Sequence, residues 1–100
     1  MLMNDEQQEL LAEWYEGCVG IPINTIVAHQ IMLFMKTYDI SFDVIMMAVQ
    51  ETGFARYPTP RYFLAILKRC AQQHIHSLKD WEEENARHNV ARTNSLWYTD

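Results

Sequence analysis

A chain of 100 residues fits one domain, and it can bury roughly 60–70% of its unfolded surface around one core without staples. Its 49% hydrophobic and 21% charged residues are the composition of a soluble globular protein and exclude a disordered one. The formal net charge of −5 argues mildly against a sequence-blind nucleic-acid binder, but the charge is unevenly distributed.

From Met1 to Gly53 there are eight acidic residues and one basic residue, Lys36. From Phe54 to Lys79 there are five basic residues (Arg56, Arg61, Lys68, Arg69 and Lys79) and no acidic one. From Asp80 onward the balance is acidic again, with Asp80, Glu82, Glu83, Glu84 and Asp100 against Arg87 and Arg92. A basic segment inside an acidic protein is a local field, and local fields decide where polyanions dock.

No apolar run approaches the roughly 18–20 residues that span a bilayer. The N-terminal MLMNDEQQEL has neither the basic nor the apolar region of a signal peptide. Two cysteines, Cys18 and Cys70, make no disulfide framework and fit a reducing cytoplasm.

Helical periodicity runs along most of the chain. The first helix is predicted to start near Asn4 or Asp5, with Leu11, Trp14, Tyr15 and Cys18 on its apolar face. Gly20 stops it and Pro22 follows. Asn24 can cap the second helix, whose stripe is Val27, Ile31, Phe34, Met35 and Tyr38. Ser41 caps the third, with Ile40 and Ile45 spaced as a hydrophobic staple. Its buried face is expected to hold Ile45, Met46 and Val49, and Gly53 ends it.

The segment ARYPTP then rules out helix through Pro58. Thr59 caps a fourth helix with Pro60 at its first position, running to about Gln73. Phe63, Ile66, Leu67 and Cys70 form its core face, while Arg61, Lys68 and Arg69 take the remaining surface. After the break at HIH, Ser77 and Asp80 have capping-box spacing for a fifth helix, nearly all polar beyond Trp81. Such a helix has little to bury, so packing would hold it loosely. RTNSLWYTD reads as a tail in which Trp97 and Tyr98 are unusual. The expected fold is all-α: four core helices plus a polar, mobile C-terminal helix, with a domain over residues 1–81 and a polar helix and tail over 82–100.

These segments carry a resemblance. WYEGCVGIPI, QIMLFMKTYDISFDVIMMAVQETG and ARYPTPRYFLAILKRC together resemble the DnaD-like domain of bacterial and phage replication-initiation (primosome, replisome organiser) proteins, from about Glu13 to Trp81. The family's signature helix is written Tyr-three-Ile-three-Trp. Tyr62 and Ile66 match it, and Cys70 stands where Trp is common. The resemblance implies a non-catalytic helical domain, with DNA binding and self-association centred on that helix. It implies no cofactor.

The bland reading of Ile66 and Cys70 is core, and that reading is favoured because both belong to the Phe63–Leu67 face. Tyr62 is more open, since its hydroxyl can reach a phosphate or a neighbouring helix. Arg61, Lys68 and Arg69, with Arg56 and Lys79 nearby, are either a solvated helix surface or a phosphate-binding one. Arg61 lies where free helix N–H groups also attract anions. Lys68 and Arg69 lie where cations stabilise a helix C-terminus with no ligand. With the resemblance, the expectation is DNA contact through Arg56, Arg61, Tyr62, Lys68, Arg69 and Lys79, without strong sequence preference. Cys70, His74, His76 and Asp80 have metal-ligand chemistry but no zinc spacing, so no metal is expected. No local catalytic motif proposes an enzyme.

The partners expected are therefore DNA, single- or double-stranded, and no membrane. The alternative is a primosome scaffold that acts through a replication initiator, a helicase loader or a second copy of itself, using its Met-rich helices.

Overall fold

The computed structural model describes residues 3–86. Four helices, α1 (Asp5–Val19), α2 (Thr25–Tyr38), α3 (Phe42–Gly53) and α4 (Pro60–Gln72), are followed by α5 over residues 78–86. The protein is all-α.

Each helix begins where a short polar side chain can take an orphan backbone N–H. Asn4 accepts from the Gln7 amide at 2.7 Å, and the Gln7 side chain reciprocates at 3.2 Å, closing a capping box. Asn24, Ser41 and Thr59 accept from the amides of Val27, Val44 and Tyr62. Pro60 occupies the first turn of α4, where its missing N–H is no loss. At the start of α5, the Asp80 amide donates to the Ser77 hydroxyl at 3.2 Å. The Asp80 carboxylate accepts from the amides of Ser77 at 3.3 Å and His76 at 3.0 Å. Gly20, at φ 90°, ends α1 in the left-handed conformation that glycine tolerates best.

Helix α1 packs on α3, α3 on α4, and α4 on α2. Residues of α1 (Gln8, Leu11, Ala12) and α2 (Ala28, Ile31, Met32) line a common cleft that closes the ring. Helices α1 and α4 are therefore diagonal partners. They meet through the core, where Tyr15 and Phe63 stack edge-to-face with ring centroids 5.5 Å apart.

The core follows the expected stripes with corrections. On α1 the buried set is Leu11, Tyr15 and Val19, an i, i+4, i+8 row. Trp14 falls about 100° from the centre of that row on a helix of 3.6 residues per turn, and it is 42% exposed. Cys18 is half-buried. On α2 the buried set is Val27, Ile31 and Met35. Phe34 flanks this face, while Tyr38 ends the helix, largely beyond its neighbours, against Phe34.

Helix α3 has the broadest buried face, Val44, Ile45, Ala48, Val49 and Thr52, because it is covered from two sides. Met46 is only half-buried at its edge. The buried Thr52 hydroxyl donates to the Ala48 carbonyl at 2.8 Å, which satisfies it within the helix. On α4 the buried set is Phe63, Ile66, Leu67 and Cys70, as the spacing predicts.

The α4–α5 connection is tied down. The Ser41 amide donates to the His76 carbonyl, and the His76 ring donates through Nδ1 to the Tyr38 carbonyl at 2.8 Å. Ile75 and Trp81 are both buried in the core. Trp81 anchors α5, whose later residues are mostly exposed. Trp97 and Tyr98 lie outside the described residues.

Candidate nucleic-acid interface

Helix α4 turns its core face inward, so the opposite face is fixed outward. Arg61 and Lys68 are seven residues apart, on one outward row, about 10 Å apart along the axis. Both are exposed. Arg69 lies on the flank toward α3, with its guanidinium 3.7 Å from the Glu51 carboxylate. Half-exposed pairs of this kind contribute roughly 0–1 kcal/mol, so the cation stays available to another anion.

Tyr62 shares that flank and is 42% exposed. Ile66 and Cys70, the other two signature positions, are core residues that offer no surface. Burial pushes the Cys70 thiol up to about 11, Arg69 pulling it slightly down and Glu51 slightly up. Cys70 is therefore a packed thiol and not a reactive one.

The remaining basic residues are spread out. Arg56 precedes α4 in the α3–α4 connection, its guanidinium carbon 5.5 Å from the centre of the Tyr57 ring. Lys79 is in the first turn of α5, beyond the opposite end of α4. The fold thus brings Arg61, Lys68 and Arg69 onto one helix, places Arg56 at its N-terminal approach, and separates Lys79 from Arg56 by the length of α4.

The diagonal arrangement separates charge. Helix α1 carries five acidic residues (Asp5, Glu6, Glu9, Glu13 and Glu16) and no basic one. Helix α4 carries Arg61, Lys68 and Arg69 and no acidic one. Opposite sides of the bundle therefore differ in sign, a property invisible in the net charge.

Two features escape sequence reasoning. Leu33, Phe34 and Tyr38 of α2 with Ala71 of α4 line an apolar groove rimmed by Gln30, Lys68 and Gln72. It is assembled by two helices that are distant in sequence. Phe54 and Tyr57, in the α3–α4 connection, are 79% and 72% exposed. They belong to no periodic pattern, so only the composition of FARYPTP marks them. Among the described residues no group of three or more His, Cys, Asp or Glu side chains could hold a metal ion.

Residues 12–85 match the family model DnaB_2, described as replication initiation and membrane attachment. The chain belongs to this family. The match runs from the middle of α1 into α5 and agrees with the resemblance at the level of a replication-initiation domain. Comparison with curated proteins and with solved structures returned no match. The family's description names membrane attachment, and no described helix is long and apolar enough to cross a membrane.

Proposed function

We propose that this replication-initiation domain binds DNA without strong sequence preference. The contact surface is the outer face of α4, with Arg61, Lys68 and Arg69 at its centre, Arg56 and Tyr62 at its approach and Lys79 as an outlying contact. The observation that carries this reading is the diagonal separation of an acidic α1 from a basic α4. A polyanion approaching such a molecule is turned toward one face before contact.

The mechanism is phosphate neutralisation with release of condensed counterions. About three to five phosphate contacts correspond to a log–log salt slope of roughly −3 to −4.5 on duplex DNA. Fluorescence anisotropy of labelled DNA across a salt series tests this. An Arg61→Ala, Lys68→Ala, Arg69→Ala variant should bind more weakly and with a flatter slope. Unchanged binding would remove α4 from the account.

A second reading is a primosome scaffold, acting in the cytoplasm of a bacterium or on behalf of a phage, that contacts an initiator, a helicase loader or a second copy of the chain. The apolar α2–α4 groove and the exposed Trp14 and Leu10 on α1 favour it. Sedimentation measures self-association directly. A strictly monomeric protein that binds DNA would leave the first reading alone.

A further inference from the structure

We propose that the α3–α4 connection is a stacking platform for unpaired bases, with Phe54 and Tyr57 as the rings, so that this face prefers single-stranded over duplex DNA. The inference rests on the phosphate-contact reading above and adds to it a second kind of contact, at residues that reading does not use.

Phe54 and Tyr57 are the two most exposed large hydrophobic side chains among the described residues, and they lie three positions apart. Their mostly exposed rings contribute little to the core. Instead they stand at the approach to α4, on a backbone held in place from both ends. The Phe54 amide donates to the Glu51 carbonyl and the Ala55 amide to the Thr52 carbonyl. Pro58 and Pro60 restrict the chain on the other side, with Thr59 capping α4. With the backbone braced, only the side-chain rotamers of Phe54 and Tyr57 remain to be ordered on binding.

Their surroundings select the occupant. Arg56 lies over one face of Tyr57, and Arg61 begins the outward row of α4. No acidic residue occurs between Phe54 and Lys79. Glu51, which is 3.7 Å from Arg69, lines the shallow cleft beside Phe54 together with Trp81 and Asn85 of α5, the helix that also carries Glu82, Glu83 and Glu84. Exposed aromatics interleaved with arginines, beside a row of cations, match a polyanion that also presents flat rings. Single-stranded nucleic acid does so. A duplex presents phosphates of the same charge, but its bases are already stacked on each other and unavailable.

The test is anisotropy on a labelled oligothymidylate and on a duplex of the same length, at one salt concentration and then across a series. Wild-type protein should bind the single strand more tightly. Phe54→Ala and Tyr57→Ala should each weaken single-strand binding by about 5- to 100-fold, leaving duplex affinity and the salt slope unchanged. Phe54→Leu, which keeps apolar bulk but loses the ring, should behave like Phe54→Ala. Both side chains are surface groups, and a thermal melt confirms that each variant is folded.

Equal losses on both strand forms, or none on either, would overturn the platform. Retention of full single-strand binding by Phe54→Leu would do so too. If the α4 charge variant loses binding while the ring variants do not, the phosphate surface stands and the platform alone falls. If wild-type protein binds neither form at low salt, both fall.

Discussion

Tyr15 of α1 meets Phe63 of α4 edge-on across the centre of the bundle, rings 5.5 Å apart and inclined by 78°. Both side chains are fully buried, and the Tyr15 hydroxyl has no hydrogen-bond partner among the described residues. Burial also pushes its phenol pKa above the ordinary value. A buried hydroxyl without a partner is destabilising by about 1–3 kcal/mol relative to a paired or absent one. Tyr15→Phe should therefore leave thermal stability unchanged or raise it, since the ring contact survives. Phe63→Ala removes the contact and opens a cavity, with an expected loss of about 3–5 kcal/mol. Denaturant unfolding of the two variants checks both. A clear destabilisation by Tyr15→Phe would mean that the hydroxyl is paired in solution.

The α1–α3 crossing depends on one missing side chain. A Cβ built on Gly53 would lie 3.0 Å from Cys18 Cβ and 3.2 Å from its Sγ. Cys18 Cα is 3.4 Å away, so the helix backbone itself limits how far the neighbour can move. Gly53→Ala should destabilise the domain by about 1–3 kcal/mol through overpacking, despite the better helix propensity of alanine. A melting temperature at or above wild type would show that the crossing has slack.

The two cysteines should differ in reactivity. Cys70 is fully buried, and burial holds its thiol at about 11, so it is almost wholly protonated at neutral pH. Cys18 is half-buried. In native protein a thiol reagent should modify one equivalent, lost in Cys18→Ala, and reach the second only as the protein unfolds. Equal native rates for both thiols would place Cys70 nearer the surface than its packing allows.

Asp80 links stability to pH. The His76 amide lowers its pKa most, desolvation comes next and opposes it, and the Ser77 amide and hydroxyl lower it further. A carboxylate whose folded pKa lies below its unfolded value contributes stability above the unfolded value. That stability is lost as pH falls through the folded pKa. Between about pH 5 and pH 2 the melting temperature of wild type should therefore fall more steeply than that of Asp80→Asn. Parallel curves would show that the cap of α5 does not contribute to acid stability.

How much of this was legible beforehand depends on whether the information was local. Asn24, Ser41, Thr59 and Ser77 were readable as caps, because a cap is decided within three or four residues. The α4 core face was readable because one row of four apolar residues has one helical reading. Trp14 was misplaced because an i, i+3 pair and an i, i+4 pair point to slightly different sides, and only the neighbouring helix decides between them. The cations of α4 were visible as residues. Their opposition to the acidic α1 was not, since it follows from the bundle's diagonal order. The exposure of Phe54 and Tyr57 was hidden for the same reason: an aromatic in a connection can fold back onto the domain or stand out, and tertiary packing chooses.

The central claim is that the outer face of α4 contacts phosphates. Its most direct test is the salt dependence of DNA binding by wild-type protein beside the Arg61→Ala, Lys68→Ala, Arg69→Ala variant, read by anisotropy. The account predicts a wild-type slope of roughly −3 to −4.5 on duplex DNA, and a variant that binds more weakly with a slope flatter by about 2–3. A variant that matches wild type in affinity and slope, or wild-type protein that binds no DNA at low salt, would contradict it.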